Sequence, residues 1–334
     1  MNQLPEAEQQ VLIVIAFLTK RRKPRLPEDV ISWGPRYFGM FQVDWSGAVD
    51  GLLGHGYLAF EASQLVLTLT GRPLAEELSL EHPKYLYFYN EFYARAAPSP
   101  AHARFCERVY GKNLVQHGMA DMDQVDWMIQ SLGLGPHSRV LELGCGSGGV
   151  AEYVSDRSGA HLTGVDGSAV GIRQAQERTL AKEDRLSFQV ADMSKLRFSC
   201  GEFDTVISID TVYFENDMAG LIADMQAITG MGGQMGVFYS TWQEAEQPRE
   251  ALKPKHTLFY RAVDSLGLDC QSWDFTRQEV IHWTRKYETA LEMEAAFEAE
   301  GQQWLRERRL EEAADHIPHV RAGRVARYFY KVML

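Results

Sequence analysis

The stretch Val140–Val154 reads VLELGCGSGGVAEYV, and its three parts decide the fold. VLEL reads as a buried strand. Gly144, Gly146 and Gly148 follow as a loop, and GGVAEYVSDR continues as a helix. Glycines let the chain turn tightly and bring its backbone against a ligand. The helix points free N–H groups at the same place. Outward from this unit the pattern keeps alternating. HLTGVD, RLSFQVAD, FDTVISID, GGQMGVFYS, LDCQSWDFT and VARYFYKVML read as further strands, with helices such as AVGIRQAQERTLA between them. Alternation of this kind predicts an α/β fold: a doubly wound, mostly parallel seven-stranded Rossmann-like sheet.

The glycine loop alone leaves the ligand open, because Gly144, Gly146 and Gly149 also satisfy the GxGxxG dinucleotide pattern. The strand ends around it narrow the choice. Glu142 ends the first strand. A carboxylate there repels a pyrophosphate but helps to anchor a cationic aminoacid-sulfonium ligand through water or backbone. Asp166 ends the second strand, where an acid can accept both ribose hydroxyls. Asp192 and Met193 end the third, where an acid can take an adenine amino group.

LELGCGSGG, TGVDGS, VADM and FDTVISID occur in an order and spacing that resembles the class I S-adenosylmethionine (SAM)-dependent methyltransferases, small-molecule type. The resemblance covers roughly the last two-thirds of the chain, from Val115. It implies SAM as methyl donor. By position, it implies that the loop from Gly144 to Gly148 holds the methionine part. Asp166, Gly167 and Ser168 then bind ribose and flank adenine, Asp192 and Met193 bind adenine, and Ile209 and Asp210 pass under the aminoacid end. In many such enzymes a segment before the first strand folds over the cofactor. Here YGKNLVQHGMADMDQVDWM places Gln116, His117 and Met119 to do so, with His117 a candidate catalytic residue.

The methyl acceptor is bounded by exclusion. After the fourth strand stands Asp210-Thr211-Val212-Tyr213, without the Pro-Pro of amino-methylating DNA enzymes, and no cysteine follows a proline. The expected acceptor is a nitrogen or oxygen, or else a carbon, of a small metabolite, an aromatic or amine-bearing one being favoured. Between the sixth and seventh strands a helical insertion, about 277–318, is too long for a plain connection. Val280, Trp283, Tyr287 and Leu291 recur in it at helical spacing, with His282 beside them. The stripe is expected to form a lid over an aromatic-walled pocket. Tyr213 or His282 is expected to orient the nucleophile or take its proton, and Asp210 or Glu215 to hold a positive nitrogen.

The remaining chain divides into 1–80 and a helical, aromatic-rich linker over 81–130, ahead of the methyltransferase-like domain over 131–334. The first part reads helix, helix, helix, hairpin, helix. Its GYL and LTLTGRPLAEEL stretches resemble a winged-helix domain. Such domains read DNA in some proteins and dimerise plant-type O-methyltransferases in others. Its third helix, around Phe41 to Leu53, carries Asp44 and Asp50 but no Lys or Arg, whereas groove-reading helices need cations. A homodimer is therefore expected, prompted also by the apolar run Val11–Leu18. A SAM- or ligand-sensing DNA-binding regulator is the alternative.

With 34 Lys+Arg against 45 Asp+Glu, the formal net charge is −11, which disfavours a general nucleic-acid partner. The Val11–Leu18 run is far short of the roughly 20 residues a membrane span needs, and the start, MNQLPEAEQQ, with no positive charge, does not read as a secretion signal. Cys106, Cys145, Cys200 and Cys270 lie far apart without a CxxC pair. They suit neither a zinc cage nor a disulfide framework, so no metal is expected and the cytoplasm is the expected location.

Overall fold

The structure, a computed structural model, describes residues 4–81, 83–243 and 248–334. The chain forms two compact units, Met1–Phe92 and Tyr93–Leu334.

In the first unit, α1 (Glu6–Lys20), α2 (Pro27–Phe38) and α3 (Trp45–Gly54) precede a hairpin of β1 (Leu58–Glu61) and β2 (Gln64–Leu67), then α4 (Gly71–Glu81). The hairpin closes through Ala62 and Ser63, both left-handed at φ 47° and 64°. Paired left-handed residues match the twist of a two-residue hairpin. Asp44 caps α3 by accepting from the Gly47 amide. The expected element order is present. The apolar run of α1, however, needs no second copy. Val11, Leu12, Val14, Ile15 and Leu18 are fully buried in a core shared with Val30, Phe38, Leu52, Leu58, Leu65 and Ala75. An apolar helix face seeks the nearest apolar surface, and this unit supplies it.

α5 (Lys84–Ala96) carries the chain into the second unit. There α6 (Pro100–Tyr110) and α7 (Met122–Leu132) are capped by Ser99 and Asp121. The strands are β3 (Arg139–Leu143), β4 (His161–Asp166), β5 (Leu186–Val190), β6 (Thr205–Ile209), β7 (Gln234–Trp242), β8 (Cys270–Asp274) and β9 (Val325–Met333). They form one sheet in the order β5-β4-β3-β6-β7-β9-β8. β3 to β7 are parallel, and β9 inserts antiparallel between β7 and β8. The connecting helices are α8 (Gly149–Ser158), α9 (Ala169–Arg178), α10 (Met218–Thr229) and α11 (Leu258–Ser265).

Side chains alternate across a strand, so one strand feeds two cores. From β3, Val140 packs with Val125, Met128, Val154 and Ile172 on one face. Leu141 and Leu143 pack with Leu221, Ile222, Met225 and Phe259 on the other. The strand order reverses between β3 and β6, where an open α/β sheet has its ligand crevice beyond the carboxyl ends. The insertion between β8 and β9 is three helices: α12 (Thr276–Glu292), α13 (Glu294–Ala299) and α14 (Gln303–Arg321).

Val280 and Leu291 are exposed, which corrects the expected apolar stripe on α12. The buried face is Glu279, His282, Trp283, Lys286, Thr289 and Ala290. It is displaced by one residue from the apolar one and is mostly polar.

Candidate active site

β3 delivers Glu142 and then Gly144 to the crevice. Gly144 is left-handed at φ 72°, and a Cβ there would stand 2.1 Å from Thr211 Cγ2. Only glycine lets the loop lie this close to the exit of β6. Gly146, at φ 57°, would meet the Tyr93 hydroxyl at 2.1 Å. Gly148, also left-handed, opens α8 at its N-cap. The segment 111–121 lies against this loop, since a Cβ on Gly149 would come within 2.1 Å of the Leu114 carbonyl.

Glu142 is buried at 3% exposure, and its Oε2 has no hydrogen-bond partner among the described residues. Burial, with the Asp166 carboxylate behind it, pushes its carboxyl up to about 8. At the tip of β4, Asp166 accepts from the Gly146 amide at 2.8 Å and from the Ser168 amide at 2.7 Å. Burial raises its pKa, and the two amides oppose that rise. Each oxygen keeps acceptor capacity beyond its one amide.

Gly167 occupies the half-buried turn after Asp166. Ser168 is fully buried, and its hydroxyl caps α9 by accepting from Gly171 N at 3.1 Å. Asp192 is exposed and accepts from the Ser194 amide at 3.0 Å, with Lys195 at 3.6 Å. Met193 is half-buried at the margin of the second core, and Ile209 at that of the first.

Asp210 departs from expectation. It is left-handed at φ 57° and 6% exposed. Its carboxylate accepts from the Met119 amide at 2.7 Å and is closed by the fully buried Arg327 of β9. Arg327 is also bonded to Ser240 Oγ at 2.9 Å and Gln124 Oε1 at 3.0 Å. The positive nitrogen expected at Asp210 is thus the protein's own guanidinium. Glu215 is likewise engaged locally, accepting from the Asn216 and Asp217 amides.

The remaining candidates fall on the other side of the 111–121 segment. Gln116 is buried, its Oε1 accepting from Leu114 N at 2.9 Å, while its Nε2 has no partner among the described residues. His117 lies 4.0 Å from the Glu312 carboxylate. Burial and then Arg309 push its pKa down to about 3, so it is a neutral imidazole. His282 is buried, and neither ring nitrogen has a partner among the described residues. Burial and then Lys286 push it well down, so it too is neutral. Tyr213 is more than a third exposed and lies against Phe214 and Tyr239, with ring centroids 5.1 and 6.2 Å apart.

The structure thus gathers Glu142, the glycines, Asp166 and Ser168 at one place, and His117 and His282 at another. The sequence reading missed Tyr93, Tyr110, Glu279, Lys286, Arg309, Glu312 and Arg327. Lys286, one helical turn after His282, was the one signal within reach.

Residues 140–233 match the family model described as "Methyltransferase domain". Phosphoethanolamine N-methyltransferase 1 of Zea mays is 30% identical over 129 residues, 39% of this chain and 25% of that protein. Norajmaline N-methyltransferase of Rauvolfia serpentina is 28% identical over 143 residues, 41% of this chain and 49% of that protein. The match therefore spans between a quarter and a half of these relatives' length. Among solved structures, Haemonchus contortus phosphoethanolamine N-methyltransferase 2, in complex with phosphomonomethylethanolamine and S-adenosylhomocysteine, superposes with a TM-score of 0.60. The identity is 18%, and 73% of this chain and 60% of that one are covered. The second unit has the fold of this methyltransferase structure.

Proposed function

We propose that the chain transfers a methyl group from SAM to a nitrogen or oxygen, or else a carbon, of a small-molecule metabolite. The observation that carries this reading is the unpartnered, buried Glu142 carboxylate oxygen beneath a left-handed glycine loop, inside the matched segment. A buried acid without a partner fits a ligand that brings N–H donors and positive charge.

The residues present fit SAM. Asp166 has the acceptor capacity for two ribose hydroxyls, the glycine loop brings backbone to the methionine part, and Glu142 faces its cationic end. Asp192 and Met193 are proposed at the adenine and Gln116 on the cover. When bound, SAM supplies a methyl group already activated by its sulfonium. The chain then has to align the nucleophile at about 3 Å and keep water out. Buried Met119 and Ala120 on the covering segment suit the second task. Arg327 holds Asp210, and through it the Met119 amide, so that cover and strand exit are tied together. Tyr213 is proposed to orient the nucleophile. His117 and His282, pushed far below the ordinary imidazole range by burial and then by Arg309 and Lys286 respectively, are weak bases, which favours a nucleophile that is already deprotonated, such as a free amine.

The first unit is proposed as a winged-helix-like dimerisation module in a cytoplasmic enzyme. With α1 turned inward, this rests on Phe60, Leu69 and Leu80, which are 53%, 93% and 81% exposed. No helix among the described residues is long and apolar enough to cross a membrane. Nor does α3, WSGAVDGLLG, offer a cation to a DNA groove. Light scattering of the full chain checks the dimer; a monomer removes it.

Calorimetry with SAM and S-adenosylhomocysteine tests the central reading, followed by a labelled-SAM screen against metabolite extract with mass spectrometry of products. Micromolar-class binding and a labelled small molecule are expected; absence of binding overturns the reading.

A further inference from the structure

Beyond the 111–121 segment, α6, α12 and α14 enclose charged side chains that the cofactor does not use. Lys286 and Arg309 are both fully buried. Lys286 Nζ donates to Glu312 Oε2 at 2.5 Å and stands 4.6 Å from the Trp283 ring centroid. Arg309 donates to His102 Nε2 at 3.1 Å and to the Gln116 carbonyl at 3.0 Å, both neutral acceptors.

The field here is positive. Burial alone would raise the Glu312 carboxyl, yet the Lys286 ammonium and the Arg309 guanidinium hold it well below the usual carboxylate range. His102, His117 and His282 are all pushed down by burial, and Lys286 and Arg309 add to the push in each. The other acids nearby are committed. Asp210 is closed by Arg327. Glu279, raised by burial to about 7, is bonded to Ser240 Oγ at 3.0 Å and by Trp283 Nε1 at 3.2 Å.

Around these cations stand polar groups without partners among the described residues, three of them donors: the Tyr110 hydroxyl, the Gln116 amide and the one N–H of the neutral His282 ring. Tyr110 is 1% exposed, Gln116 8% and His282 4%. The Tyr110 hydroxyl, Gln116 Nε2 and both His282 ring nitrogens have no partner among the described residues. The Tyr110 and His282 rings lie 5.4 Å apart, and His282 lies 5.1 Å from Trp283, under the Lys286 ammonium. Buried donors are almost always satisfied, so a cluster of orphans beside an ammonium is short of an acceptor-rich, negatively charged group. Three residues after Gln116, the Met119 amide is bonded to Asp210 at the β6 exit, so the cluster adjoins the cofactor crevice.

We propose that this cluster is an oxyanion subsite, in which Lys286, Tyr110, Gln116 and His282 seat a carboxylate or phosphate carried by the methyl acceptor. The identity of the occupant as acceptor rests on the methyl-transfer reading; the subsite itself does not. The acceptor is accordingly a molecule with its methylated atom toward the glycine loop and an anionic group toward α12 and α14.

The test uses the full chain with and without saturating S-adenosylhomocysteine. Calorimetry compares ethanolamine, its phosphate monoester and glycine, with inorganic phosphate and acetate as bare anions. At least one anionic amine is expected to bind tenfold or more tightly than ethanolamine. A stronger phosphate monoester identifies a phosphate occupant, and a stronger glycine a carboxylate. Lys286→Met should remove the preference. Tyr110→Phe, which keeps the ring and its packing, should weaken it threefold or more, with S-adenosylhomocysteine affinity unchanged in both. Equal binding of the three amines, or no anion binding by a protein that binds S-adenosylhomocysteine, overturns the subsite. Lys286-dependent anion binding by a protein that fails to bind S-adenosylhomocysteine supports the subsite and overturns the methyl-transfer reading instead.

Discussion

The two sides of the crevice are built by different means. On the β3–β4 side the proposed cofactor site is mostly backbone: left-handed glycines, amides that hold Asp166, and the start of α8, all within residues 142–168. On the side of the insertion the proposed subsite is made of side chains brought from α6, α12 and α14, such as Tyr110, Lys286 and Arg309. A site made of backbone must be written contiguously, because loop geometry is a local property. A site made of long side chains needs only that distant helices pack. The first constrains sequence tightly and serves an invariant ligand; the second can vary with the substrate.

Between the two lies the Asp210–Arg327 pair, and breaking it is the most severe test of whether the sides are mechanically joined. Arg327→Met should leave Asp210 buried with only the Met119 amide. Loss of one partner of a buried pair destabilises by about 3–5 kcal/mol. Thermal unfolding of the second unit should fall accordingly. A variant of unchanged stability would mean that the covering segment is held by other contacts.

Within the backbone side, Gly144→Ala should cost about 1–3 kcal/mol from its left-handed conformation. The Cβ placed 2.1 Å from Thr211 adds to that. SAM affinity should fall with stability, since the loop must move to relieve the contact. If SAM binds normally by calorimetry, the loop is not the cradle. Asp166→Ala should be milder for the fold and selective for the ligand, weakening SAM by roughly 1–3 kcal/mol through loss of hydrogen-bond acceptors. Unchanged SAM affinity removes Asp166 from the ribose.

This division also explains what could be read from sequence. The strands of the main sheet, the insertion and the places of Glu142 and Asp166 near strand ends were legible because each is signalled by neighbours in the chain. α12 was misread. Its apolar residues Val280, Trp283, Tyr287 and Leu291 fall at helical spacing, but Glu279, His282, Trp283 and Lys286 are the ones turned inward. Hydrophobic periodicity finds a buried face only when that face is apolar, and here it is polar because it lines a charged cluster. Arg327 was equally hidden, since in VARYFYKVML an arginine reads as one more solvent-facing strand position. Its partner Asp210 lies 117 residues away.

The smallest expected effect is a proton, and it bears on the backbone side alone. Burial and Asp166 push the Glu142 carboxyl up from its ordinary 4.5 to about 8. The folded protein therefore takes up a proton there. The stability linked to that uptake is fully present below about 4.5 and is lost as pH rises toward 8. A cationic ligand stabilises the ionised form, so SAM binding should release roughly one proton at pH 7, and apparent affinity should rise with pH until about 8. Calorimetry in two buffers of different ionisation enthalpy measures the release directly. Glu142→Gln, an isostere of the protonated acid, should abolish the release while retaining the fold and flattening the pH dependence. A release that persists in this variant would shift the titration to another group and leave Glu142 a merely buried acid. Lys286→Met should leave the release intact, because the two sides of the crevice meet different ligands.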